Sequence, residues 1–134
     1  MLADAAHAVG GKLYVLGGGW SVQYAPGPFA IALKIEVPWS LAEDTHTLRI
    51  ELLDEDGQVV LGDEDKPLIT IEGTFHTGLP EGVKPGTPID TVVAFPIPPL
   101  PLELGRYEWR LTIDGQGDEN WHLGFTRADA PPSA

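Results

Sequence analysis

The chain has 134 residues, with 20 acidic against 8 basic side chains and a formal charge of -12 with His neutral. That charge opposes non-specific binding to nucleic acid or to an anionic membrane. With no cysteine there is no disulfide framework, no Cys-ligated metal and no thiol nucleophile.

No stretch approaches the ~18 consecutive apolar residues of a membrane helix. The length suits one domain with a real core. Residues 1–127 are expected to form it, with 128–134 as a flexible tail. A secretory signal needs a basic n-region followed by an apolar run. Here Asp4 and His7 interrupt any such run and the first base is Lys12. A cytoplasmic location is expected.

Helical periodicity is absent, and period-2 alternation recurs between Gly/Pro-rich breaks. Residues 2–9 and 12–16 flank Gly10-Gly11, a hairpin signal because glycine adopts the positive φ of a tight turn. Gly17-Gly18-Gly19 predicts a bulge or a bend. Ile31, Leu33, Ile35 and Val37 alternate with polar or small residues, as do Leu48, Ile50 and Leu52. An antiparallel hairpin of these two strands, with Ile35 opposite Ile50, sets Lys34 against Glu51 and Glu36 against Arg49. Both faces are then satisfied at once.

Asp56-Gly57 predicts a turn, with a short strand at Val59–Leu61 after it. Residues 68–76 form a further strand, and 78–88 read as an exposed loop. The strand over 89–97 ends among Pro96, Pro98, Pro99 and Pro101. Proline cannot donate to a ladder, so this strand is expected to run along a sheet edge or to leave the sheet there. Tyr107, Trp109, Leu111 and Ile113 then pair across an Asp114-Gly115 turn with Trp121, Leu123 and Phe125. The expected register puts Leu111 opposite Leu123, with Trp121 in the core.

About eight short strands and no helix predict an all-β chain, an antiparallel immunoglobulin-like β-sandwich without a disulfide. One detail favours the immunoglobulin-like type. Gly105-Arg106-Tyr107 opens a strand just after a proline-rich connection. A tyrosine corner sits at such a point, its hydroxyl bonded to backbone a few residues upstream.

The string Ala3-Asp4-Ala5-Ala6, followed by Gly11-Lys12-Leu13-Tyr14-Val15-Leu16-Gly17-Gly18, stands beside that Tyr107 strand and the final hairpin. Together they resemble a family of small bacterial all-β proteins of unknown function. The resemblance spans most of the chain and implies the fold. It carries over no functional residue.

The acids cluster. Asp54, Glu55, Asp56, Asp63, Glu64 and Asp65 have no base among them, and Asp114, Asp118 and Glu119 make a second acidic turn. Calcium takes several converging oxygens, so Asp54, Asp56, Asp63, Asp65, Asp114 and Asp118 are the candidate metal ligands. The spacing is not that of an EF-hand, and most charge runs are solvated faces. No cofactor is expected. His7, His46, His76 and His122 lie on separate segments, and neither Ser21 nor Ser40 sits in a Gly-x-Ser-x-Gly elbow. No catalytic constellation is recognisable, and an enzyme is not expected.

Among the aromatics, Trp39, Phe29 and Trp20 are the candidates for an exposed interaction patch beside Pro26-Gly27-Pro28. The leading expectation is a non-catalytic interaction module that meets a protein partner, with self-assembly through a sheet edge. Strand 2–9, rich in alanine, is the expected edge. The alternatives are a calcium- or small-ligand-binding module on loops 54–65 and 114–119, and an enzyme of unrecognised type. Neither nucleic acid nor membrane is an expected partner.

Overall fold

Alternation between Gly/Pro breaks produces strands throughout the computed structural model, which describes residues 1–129. Residues 130–134 of the expected tail lie outside the described residues. The strands among them are β1 (Leu2–Val9), β2 (Lys12–Gly18), β3 (Val22–Gln23), β4 (Phe29–Val37), β5 (His46–Asp54), β6 (Thr70–Phe75), β7 (Ile89–Ile97), β8 (Gly105–Ile113) and β9 (Gln116–Arg127). Helical turns among the described residues are the 3-10 segments Trp39–Leu41 and Asp63–Asp65. The chain is all-β, with two sheets.

It forms two compact units, each with one sheet. The first unit takes Met1–Gly19, Pro28–His46 and Thr74–Pro99, and its sheet runs β2-β1-β4-β7. The β1–β2 hairpin closes as expected, with Val9 facing Lys12 across Gly10 at φ 60° and Gly11 at φ 75°. Two positive φ values in a two-residue loop match the right-handed twist of the strands. The same register runs on to Ala3 opposite Gly18, so of the bulge or bend expected at the three glycines no bulge forms. The three glycines instead end the strand, with Gly17 at φ 61° and Gly19 at φ 92°. A Cβ on Gly17 would also collide with the Asp4 carboxylate.

β4 pairs with β7 along its whole length, from Phe29 opposite Ile97 to Val37 opposite Ile89. Phe29, Ile31, Ile35 and Val37 are buried. β7 stands at the sheet edge, where its prolines predicted it. The Trp39–Leu41 turn is tied down on both sides. His46 Nε2 donates to the Leu41 carbonyl at 2.8 Å, and its ring lies 5.3 Å from that of Phe75. The Ala42 carbonyl accepts from Thr77 Oγ1 at 3.1 Å and from the Gly78 amide at 2.9 Å. The segment 78–88 has no regular structure, in line with its glycines and prolines.

The second unit takes Trp20–Gly27, Thr47–Gly73 and the chain from Leu100 onward. Its sheet runs β3-β9-β8-β5-β6. β5 and β8 pair from Leu48 opposite Ile113 to Asp54 opposite Tyr107, burying Leu48, Ile50, Leu52 and Trp109. The Tyr107 and Phe125 rings stack at 5.6 Å, and those of Trp109 and Phe125 at 6.3 Å. Arg127 is buried, and its guanidinium donates to Gln23 Oε1 at 2.7 Å and to the Leu100 carbonyl at 3.3 Å. β3 runs parallel to β9, with Val22 opposite Thr126, so the expected purely antiparallel pairing has one exception.

Three further expectations fail here. First, β4 and β5 do not form a hairpin; they lie in different sheets. Lys34 reaches Asp90 on β7 at 3.4 Å instead of Glu51, and Arg49 reaches Glu72 on β6 at 3.1 Å instead of Glu36. The apolar face of a strand specifies its parity, not its neighbour, and a cross-strand pair contributes only ~0.2–1 kcal/mol.

Second, the last hairpin closes five residues tighter at its turn than expected, and its register is shifted by two at Trp109. Ile113 faces Gln116 across Asp114 at φ 53° and Gly115 at φ 77°. Trp109 then meets Leu123, and the surplus residues of β9 leave the ladder between Arg110 and Thr112. Trp121 rides in that irregularity, 38% exposed and outside the core. The two-residue turn outcompetes a longer loop because both of its φ values suit the strand twist. Third, residues 59–61 make only isolated bridges, Leu53 to Val59 and Leu61 to Pro67.

Candidate functional site

The first unit presents an apolar ribbon. β1 has register with β4 only at Leu2 and Ala3; from Ala5 to Val9 it is paired with β2. Alternation along the ribbon puts Val9, Tyr14 and Leu16 on one face with Ala5 and His7, and Leu13 and Val15 on the other. Leu16 is 71% exposed, Val9 61%, Tyr14 57% and Val15 40%. The strand offered as the free edge, 2–9, is covered by β2, and so the edge passes to Lys12–Gly18. The signal for this was present in the sequence. Leu13-Tyr14-Val15-Leu16 is apolar without a break, so both faces are apolar, whereas a half-buried strand alternates.

Sheet edges are normally protected by charge, proline or shortness. β7 carries Asp90 and Pro96, β6 carries Glu72, and β3 has two residues. β2 carries one charge, Lys12, at its first position.

Several of the acidic residues accept bonds from backbone amides. Asp54 Oδ1 accepts from the Asp56 amide at 2.9 Å and the Gln58 amide at 3.0 Å. Asp114 Oδ1 accepts from the Thr47 amide at 2.9 Å, and Asp118 Oδ1 from the Asn120 amide at 2.8 Å. The Asp54 and Asp118 bonds are local side chain-to-backbone turns of the kind Asp favours, while the Asp114 bond reaches the start of β5. Asp63 and Asp65 lie exposed in their 3-10 turn, where Lys66 Nζ pairs with Glu64 at 3.3 Å. Among the described residues no three His, Asp or Glu side chains gather in a way that could hold a metal ion.

A shallow cavity of about 260 Å³ opens on the second unit, lined by Asp54, Gly57, Arg106, Glu108, Arg110 and Gly124. Glu108 takes Arg110 at 2.7 Å and stands 3.2 Å from His122 Nδ1. The lining mixes both signs of charge.

The aromatic candidates do not make one patch. Phe29 is 4% exposed, buried at the start of β4 and not part of a surface patch as expected. Trp20 and Trp39 are half-buried.

The Tyr107 hydroxyl donates to the Glu103 carbonyl at 2.8 Å, the bond expected from the Gly-x-Tyr strand opening. Burial, then the Glu103 and Asp54 carboxylates, push the hydroxyl above its ordinary value of 10.0, with Arg127 opposing. A raised pKa contributes stability that is fully present below the unfolded value, about pH 10, and is lost as pH rises through the folded one. Tyr107→Phe is expected to lower stability by about 1 kcal/mol at neutral pH. The variant's melting temperature should fall less steeply above about pH 10. Parallel alkaline limbs for the two proteins would contradict this assignment.

Residues 1–125 match the model of a family of unknown function, DUF6941. No curated protein and no solved structure matches the chain.

Proposed function

The chain belongs to DUF6941, a family of unknown function, and from that premise we propose that it is a cytoplasmic, non-catalytic interaction module, an immunoglobulin-like β-sandwich acting by protein–protein contact. The observation that carries the reading is the β1–β2 ribbon. Val9, Tyr14, Val15 and Leu16 stand exposed on it, and large apolar side chains held in water along an unprotected strand favour association. The immunoglobulin-like part rests on the Tyr107–Glu103 bond after the proline-rich connection.

The test is affinity capture from an extract of the native host, wild type against Tyr14→Lys combined with Leu16→Lys. Both positions face solvent, so the fold tolerates the charges. Proteins retained by the wild type should be lost from the double variant. An identical set on both would remove the ribbon as the contact surface.

A further inference from the structure

We infer that β2 is the pairing edge for a second copy of this chain, joined antiparallel about a two-fold axis at Tyr14. This deepens the contact-surface reading and rests on it. The first ground is parity. In a two-residue hairpin the flanking pair, Val9 and Lys12, exchanges both of its backbone bonds. Tyr14 and Leu16 share that parity and turn their amides and carbonyls toward β1. Leu13 and Val15 turn theirs outward, to the open side of the sheet.

The second ground is length. The extended stretch of β2 lies between two glycines of positive φ, Gly11 at 75° and Gly17 at 61°. It comprises Lys12–Leu16, and its centre is Tyr14. An antiparallel copy centred there sets Leu13 opposite Val15 of the partner subunit and Val15 opposite the partner's Leu13. Both pairs consist of residues with outward backbone groups, so the ladder continues without a slip. Tyr14 meets Tyr14 of the partner subunit, an aromatic cross-strand pair. Lys12 lays its aliphatic stem along the partner's Leu16, the most exposed of the ribbon's apolar residues.

The third ground is charge. Lys12 begins the strand and is its one charge. Antiparallel pairing keeps it about 13 Å along the strand from the partner's Lys12. A parallel pairing sets Lys12 beside the partner's Lys12. Lys12–Leu16 carries no acid, so two copies of a chain of formal charge -12 can meet along it without opposing carboxylates.

The experiment uses the purified full chain in high salt, which screens the repulsion between two acidic copies. Sedimentation equilibrium up to about 1 mM chain, where even a millimolar association is visible, should show a reversible dimer. The absence of native cysteine allows a second readout. Tyr14→Cys places two thiols at a non-hydrogen-bonded pair, about 4.5 Å between Cα atoms, within disulfide reach. Mild oxidation should give a covalent dimer. Lys12→Cys thiols lie about 13 Å apart along the strand and should not cross-link. A monomer throughout, or equal cross-linking at both positions, overturns the self-pairing. A purified monomer whose ribbon still retains a different host protein would overturn it too, while leaving the contact-surface reading in place.

Discussion

Trp109→Ala is expected to cost about 3–5 kcal/mol of folding stability, the range for deleting a buried aromatic with partial collapse of the cavity. The side chain is 3% exposed. It lies in the middle of β8, facing Leu52 on β5 and Leu123 on β9, and its ring stacks 6.3 Å from that of Phe125. Removing it opens a void between three strands whose backbones are held by their ladders and cannot close in. A domain has only about 5–15 kcal/mol in all, so the variant should unfold at much lower denaturant concentration with an unchanged slope. A loss below about 1 kcal/mol would place Trp109 outside the packed interior. Trp121→Ala is the internal control. That residue is 38% exposed, and the change should cost far less.

Arg127→Ala should be of similar size, by a different route. The guanidinium is buried and donates from Nε at 3.1 Å and Nη2 at 2.7 Å to Gln23 Oε1. It also reaches the carbonyls of Leu100 at 3.3 Å and Leu102 at 3.5 Å. One side chain thus ties the end of β9 to β3 and to the segment that precedes β8. Bonds to a charged donor contribute about 1.5–3 kcal/mol each, and a buried acceptor left alone adds its own cost. A loss of about 3 kcal/mol or more is expected in denaturant titration. Arg127→Lys should recover only part of it. An ammonium lacks the planar fork that serves Gln23 and Leu100 together. Full recovery by lysine would show that charge alone matters there.

The two residues differ in how well the sequence announced them. Trp109 stands in a strict alternation of Tyr107, Trp109 and Leu111, and period 2 marks it as inward-facing whatever the register. Arg127 carries no such mark. It falls at the end of the last strand, where a base reads as solvated, and only the approach of Gln23, Leu100 and Leu102 makes the site that buries it. The ribbon lies between these cases. Its unbroken Leu13–Leu16 run was legible as apolar on both faces, but its exposure depends on β4 starting at Phe29 and pairing with β1 only at Leu2 and Ala3.

Local chemistry determined a good deal. The alternation set the all-β class. Gly10-Gly11 closed the first hairpin, because only glycine takes both positive φ values without strain. The prolines sent β7 to an edge because they cannot donate to a ladder. Gly105-x-Tyr107 placed a hydroxyl within reach of a carbonyl four residues upstream. The choice of neighbours was left to tertiary structure. β4 and β5 are both Ile/Leu-rich strands of the same parity, each as suited to the other as to β7 and β8. A single cross-strand pair distinguishes such alternatives by only a few tenths of a kcal/mol, so the decision falls to the summed packing of entire sheets.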